Sequence, residues 1–204
     1  MKQPELHLTF PTPVLFNHLG RDLSKIETNY LNKELSLLHK NTGNHFSTNT
    51  YVLDNKKLKN LKTLIEEHLK YFVFKVMKVD EDITPYVTQS WLNLNRKKDF
   101  HHFHNHPNSF VSGVLYLVAD KNQDSITFHN PKPSYFGYDV SEYERWNCNK
   151  QIFNVESGYI VLFPSTLHHT VKVKEDNKER VSLAFNSFIK GTLGKERSLQ
   201  QLKL

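Results

Sequence analysis

A single cysteine, Cys148, in 204 residues rules out a disulfide framework and a cysteine-rich zinc site. Long apolar runs are missing too. None approaches the roughly 20 residues that a helix needs to span a bilayer, and Met1-Lys-Gln-Pro-Glu lacks the apolar core of a signal peptide. The expectation is a soluble cytoplasmic protein with no membrane partner. Arginine is scarce, at five of the 27 basic residues, and the cations are scattered among 21 acidic side chains. A net charge of +6 would suit a polyanion if those cations clustered. Their scatter argues against nucleic acid. The same scarcity makes Arg180, inside the apolar stretch E-R-V-S-L-A-F-N, a residue that needs a reason to be there.

Histidine is plentiful where arginine is not. Four of the twelve fall within the six positions 101–106, in D-F-H-H-F-H-N-H-P-N-S. A strand repeats every two residues, so an extended segment would project His102, His104 and His106 from one face, with Asp99 and His101 on the other. Two imidazoles at i and i+2 can hold a metal ion if a distant strand supplies a third ligand. F-P-S-T-L-H-H-T-V, with His168 and His169, is the candidate. Arg180 follows His169 by eleven residues and precedes Ser182 by two. That order is what a mononuclear iron oxygenase using an α-keto acid would need.

The length suits one domain with a sizeable core: residues 1–204, with about 1–85 as helical N-terminal support and 86–190 as a β core. L-H-L-T-F-P-T-P-V-L-F reads as a short edge strand, because proline is tolerated where backbone donors are not needed. Apolar residues recur at helical spacing from Asp22 to His39 and from about Asn55 to Met77. From Pro85 onward the pattern is β, with strands expected at Thr88–Asn95, Phe110–Ala119, Ser125–Asn130, Gln151–Val155, Tyr159–Phe163, His169–Lys174 and Arg180–Ile189. Pro131–Asn149 is long, aperiodic and aromatic, with Tyr135, Phe136, Tyr138, Tyr143 and Trp146. Such a loop reads as a rim or lid. Many short strands behind two helices suggest a jelly roll, or double-stranded β-helix, with its site inside an open-mouthed barrel.

Imidazole suits Fe, Cu, Ni and Zn. The common non-heme Fe(II) site uses two His and one carboxylate, and here His106 occupies the carboxylate's place. Three neutral His would leave a dianionic co-substrate to offset the metal's charge. His104 and His106 are the favoured pair, with His102 as nearest competitor. The competing reading, a surface His cluster, does not account for a second H-H and a well-placed Arg together, and zinc alone would leave Arg180 unexplained. Arg180, Ser182, Ala184 and Asn186 alternate to one face. A buried guanidinium is costly unless paired, and its fork matches a carboxylate; the bland alternative pairs it with Glu175 or Asp176 at the surface. Asn93 and Asn95, on one strand face with Trp91, read as the polar wall of a cofactor pocket. Ser112 and Tyr116 are weaker candidates.

At these residues the chain resembles a family of Fe(II)/2-oxoglutarate-dependent oxygenases of bacteria and marine phages, distantly similar to prolyl hydroxylases. F-P-T-P-V-L, W-L-N-L-N, H-N-H-P-N-S-F-V-S-G-V-L-Y-L, F-H-N-P, F-P-S-T-L-H-H-T-V and E-R-V-S-L-A-F-N carry the resemblance across nearly the whole chain. It implies that His104, His106 and His169 bind Fe(II), and that Arg180, with Ser182, binds the distal carboxylate of 2-oxoglutarate. It also implies an O2-dependent dioxygenase that releases succinate and CO2, usually by hydroxylation. The substrate it suggests is a prolyl or other peptide side chain, with a small molecule and a homodimer both left open. The H-x-D or H-x-E of the wider superfamily is absent. The rivals are a three-His cupin-type dioxygenase that needs no keto acid and a non-enzymatic β-sandwich binding or virion module.

Overall fold

The computed structural model describes residues 4–132 and 137–204. Its strands are β1 (Leu15–His18), β2 (Leu38–Lys40), β3 (His45–Ser47), β4 (Ile83–Asn95), β5 (His101–His104) and β6 (Val111–Val118), then β7 (Ser125–His129), β8 (Lys150–Asn154), β9 (Tyr159–Pro164), β10 (His169–Val171), β11 (Arg180–Leu193) and β12 (Leu202–Lys203). The helices are α1 (Lys25–Leu35) and α2 (Lys59–Lys70). Two antiparallel sheets result. The larger runs β1-β9-β6-β11-β4-β3-β2, with β12 also on β11, and the smaller runs β5-β10-β7-β8. This is the jelly-roll architecture that the strand pattern predicts.

Alternation along the central strands divides the larger sheet into two chemistries. Leu92, Leu115, Leu162, Leu183 and Phe185 share a cluster with Leu61, Ile65, Leu69 and Phe72 of the helical layer. Val161, Phe163 and Tyr116 instead pack with Ile126, Phe128 and Leu167 toward the smaller sheet. The tightest point of the first layer is Gly113, which pairs with both Phe185 and Leu162. A Cβ there would overlap the Phe185 ring and come within 2.7 Å of a Leu162 methyl. Only glycine lets that ring lie flat on the sheet.

Local chemistry explains where elements end. Helix α1 starts later than the periodicity predicts, because Ser24 caps it and forms a capping box with Glu27. Arg21 then holds the buried Glu27 carboxylate through two contacts of 2.7 and 2.8 Å. The same helix stops at Leu35, not His39, since residues 38–47 fold into the β2–β3 hairpin that extends the larger sheet. That hairpin is too short to announce itself by alternation. Beyond α2, residues Tyr71–Val76 continue as a wider π-type turn, where aromatic and β-branched side chains crowd an α-helix. At the N-terminus only Leu15–His18 forms a strand, pairing with β9, because Pro11 and Pro13 cannot donate to a ladder.

Candidate metal centre

The smaller sheet brings the distant histidines together. His169 of β10 pairs directly with His104 of β5, and His106 is tied to the same corner by its amide, which donates to the Ser165 carbonyl at 3.0 Å. One ring nitrogen from each of His104, His106 and His169 lies within 4.8 Å of the others, a grouping that could hold a metal ion. The ring centroids are 4.2 to 5.2 Å apart. His168, the other half of the H-H pair, turns away and stacks on Phe103.

The backbone also fixes which nitrogens face inward. His104 Nδ1 lies 2.8 Å from the His102 carbonyl, and His169 Nδ1 lies 3.2 Å from that of Leu167. A carbonyl only accepts, so in both rings Nδ1 carries the hydrogen and Nε2 keeps its lone pair for a cation. Trp91 packs beside His106, and Phe163 lies edge-on to His169. These aromatic neighbours restrict the turning of the two rings.

One expectation is corrected here. Strict alternation puts His101 on the face opposite His104, yet the two rings stack with centroids 4.2 Å apart. The ladder explains it: the two-residue step along β10 from His169 to Val171 lies opposite the three-residue step along β5 from His104 to His101. This bulge inserts one extra residue and resets the alternation, so a further imidazole joins His104 from the N-terminal side.

Arg180 lies opposite Asn95 in the β4–β11 ladder and is 4 % exposed. Its Nη2 donates to Asn95 Oδ1 at 2.9 Å. Among the described residues no carboxylate forms an ion pair with it, so the surface pairing with Glu175 or Asp176 is not found. The buried Arg180 Nε, Asn95 Nδ2 and Ser125 Oγ have no protein partner. All three residues line one cavity of about 10 Å³, together with Asp124 and Lys174. Burial draws the guanidinium below its ordinary pKa, while nearby Tyr116 and Asp124 oppose that. Lys174, itself buried, is neutralised by Asp124 at 2.9 Å and Asp176 at 2.8 Å. Arg180 is therefore a buried cation with an unused donor, the electrostatic setting an anionic ligand requires.

The remaining candidates divide. Ser182 is buried on the interior side of β11 and pairs with Asn93 and Tyr116. Asn93 accepts from Asn44 at 3.4 Å. Tyr116 is fully enclosed, and burial pushes its phenol up to about 12. Ser112 is spent on a network with Ser165 and Asn186. Ser125 and Asn44 escape sequence reasoning, since a serine opening the expected strand Ser125–Asn130 and an asparagine beside Gly43 carry no sign of a ligand pocket. In the long loop, Tyr138, Tyr143 and Trp146 are exposed; Tyr135 and Phe136 lie outside the described residues.

Burial leaves the site histidines as neutral bases. It takes His106 down to about 4 and His101 to about 3, each reinforced by His104. The His169 ring, 5 % exposed, is the extreme case at about 2, where His104 and His106 add to the effect of burial. A histidine whose folded pKa lies below its unfolded value of about 6.5 costs nothing above that pH. Below it, the unfolded chain takes up a proton that the folded one refuses. Stability of the metal-free protein should therefore fall as pH drops below about 6.5. His169 alone should account for on the order of 2 kcal/mol between about pH 6.5 and 5, at about 1.4 kcal/mol per pH unit per proton. Urea unfolding on either side of that window measures it. His169→Gln should flatten the acid limb, and an unchanged limb would locate the effect elsewhere.

Fold and site together define a double-stranded β-helix protein with a three-imidazole cluster and, in its interior, a buried guanidinium that forms no ion pair among the described residues. Residues 89–186, which span the strands carrying that site, match the sequence model of a family described as "Putative 2OG-Fe(II) oxygenase". Over that segment the chain carries the signature of this oxygenase family. No curated protein matches it. Among solved structures it is similar to a 2OG-Fe(II) oxygenase family oxidoreductase from Burkholderia pseudomallei, at 12% identity and TM-score 0.59, covering 85% of this chain and 83% of that one. It is also similar to HygX from Streptomyces hygroscopicus, crystallised with nickel, 2-oxoglutarate and hygromycin B, at 13% identity and TM-score 0.59 over 86% and 82% of the two chains. A prolyl-4-hydroxylase from Pseudomonas putida aligns at 13% identity and TM-score 0.56, over 86% of this chain and 92% of that one. Among the described residues no helix is long and apolar enough to cross a membrane.

Proposed function

We propose that the whole chain is one Fe(II)- and 2-oxoglutarate-dependent dioxygenase domain that hydroxylates a peptide side chain, prolyl among them, or a small molecule. The observation that carries this reading is the presence of three neutral imidazoles and a buried Arg180 that forms no ion pair among the described residues, inside one barrel. His104, His106 and His169 would hold the iron. Arg180 would take the distal carboxylate of 2-oxoglutarate, with Ser182 and the amides of Asn93 and Asn95 lining the pocket. When bound, iron and keto acid supply the O2 activation that oxidises substrate, with succinate and CO2 as co-products.

The chain's own residues do the positioning. The carbonyls of His102 and Leu167 keep two Nε2 lone pairs aimed at the metal site. Because no ligand is a carboxylate, the ligand set adds no negative charge, and a dianionic co-substrate balances both the metal and Arg180. Asn95 can offer only its oxygen to Arg180, which donates and never accepts, so the Asn95 Nδ2, without a protein partner, is left to donate to a bound ligand. Exposed Tyr138, Tyr143 and Trp146 offer amphipathic contact area for a substrate. HygX with hygromycin B and the Pseudomonas prolyl-4-hydroxylase support the two substrate classes. The family match does not favour the cupin-type or non-enzymatic rivals.

The test is succinate formation from 2-oxoglutarate by the aerobic, Fe(II)-loaded protein, first alone and then with peptide and small-molecule panels. Slow succinate release that a substrate accelerates is the expected result. A protein that binds iron but neither binds nor consumes 2-oxoglutarate would sink the proposal.

A further inference from the structure

The bulge in β5 has a chemical consequence beyond the inner trio. It brings one ring nitrogen each from His101, His102 and His104 within 4.8 Å of one another. Their ring centroids lie 4.2 to 5.2 Å apart, the same range as in the inner trio. Two nitrogens bound to one ion at about 2.1 Å can be at most about 4.2 Å apart, so small ring rotations would close either group onto a metal. We propose that His101, His102 and His104 form a second, outer transition-metal site, and that it shares His104 with the inner trio so that only one of the two holds an ion at a time.

Exclusion follows from the hydrogen bond at His104. Its Nδ1 donates to the His102 carbonyl, which leaves Nε2 as the one nitrogen able to bind a cation. A single lone pair cannot serve two ions. Access differs as well: His102 is exposed and His101 and His104 are half-buried, whereas the inner trio includes buried His169. Ions from solvent therefore meet the outer group first. Three imidazoles without a carboxylate select borderline transition metals over Mg(II) or Ca(II). Zn(II) and Cu(II) bind such ligands more tightly than Fe(II), so the outer site would draw His104 away from iron when those ions are abundant. The existence of the outer site stands alone; its exclusion of the inner ion rests on the function proposed above.

Calorimetric titration with Zn(II) alone tests this in His106→Ala and in His106→Ala/His102→Ala, with circular dichroism to confirm folding. The first protein lacks an inner ligand and should bind one Zn(II); adding His102→Ala should weaken that binding at least tenfold. Equal Zn(II) affinity in the two proteins overturns the outer site. His106→Gln gives the same comparison should the alanine protein fail to fold. Wild type should saturate with one Zn(II), and two bound ions would overturn the exclusion. If His106→Ala leaves Fe(II) affinity at the wild-type value while His102→Ala alone removes it, the inner assignment fails and the outer site stands.

Discussion

Alanine at His106 or His169 should lower Fe(II) affinity more than a hundredfold without unfolding the chain. Structural metal sites gain roughly 10–16 kcal/mol from their full ligand set, so one ligand of three contributes on the order of 3 kcal/mol, or about two decades of affinity. His106 is half-buried and its loss opens a cavity beside Trp91, a smaller disturbance than emptying the core. His169 packs against Phe163 and Phe128 and is nearly enclosed, so its alanine variant should also lose stability. Equilibrium dialysis against anaerobic Fe(II) measures the affinities, and denaturant unfolding separates folding from binding. Weak residual iron should disappear when His102→Ala is added, because the more exposed outer group is what remains. Wild-type affinity in the His106→Ala protein would remove His106 from the site.

Much of this arrangement is legible in the sequence, and the parts that are not have physical causes. Short apolar runs bounded by turn residues locate β6, β9 and β11 to within a few residues, since each is largely buried on both faces. The interior side of β11 is readable because Arg180 and Ser182 are polar positions in an apolar strand. The face of His101 is not readable. It depends on a bulge created by pairing with β10, a partner more than sixty residues away, and no local pattern announces that register. The β2–β3 hairpin is hidden for a related reason: strands of three residues carry too few alternations to outweigh the helical periodicity that runs into them. Ser125 is missed because its role depends on lying near Arg180 in space, whereas its neighbours in the chain mark only the start of a strand.

Arg180→Lys should weaken 2-oxoglutarate binding by roughly ten- to a hundredfold while leaving Fe(II) affinity nearly unchanged. A bidentate charge-assisted pair in a partly buried site is worth about 1.5–3 kcal/mol. Lysine keeps a positive charge but presents a point donor where the guanidinium presents a fork. It would also be a buried ammonium whose only assured partner is Asn95 Oδ1, so burial would favour its neutral form and weaken the attraction further. Neighbouring Lys174 cannot substitute, because Asp124 and Asp176 already neutralise it. Ser182→Ala removes at most one hydrogen bond, from a neutral hydroxyl to a charged carboxylate, about 1.5 kcal/mol, and should cost roughly tenfold. Titration of the Fe(II)-loaded proteins with 2-oxoglutarate gives both numbers, and iron dialysis provides the control. Keto-acid affinity equal to wild type in Arg180→Lys would overturn the anchor. A larger loss in Ser182→Ala than in Arg180→Lys would move the carboxylate away from the guanidinium toward Ser182.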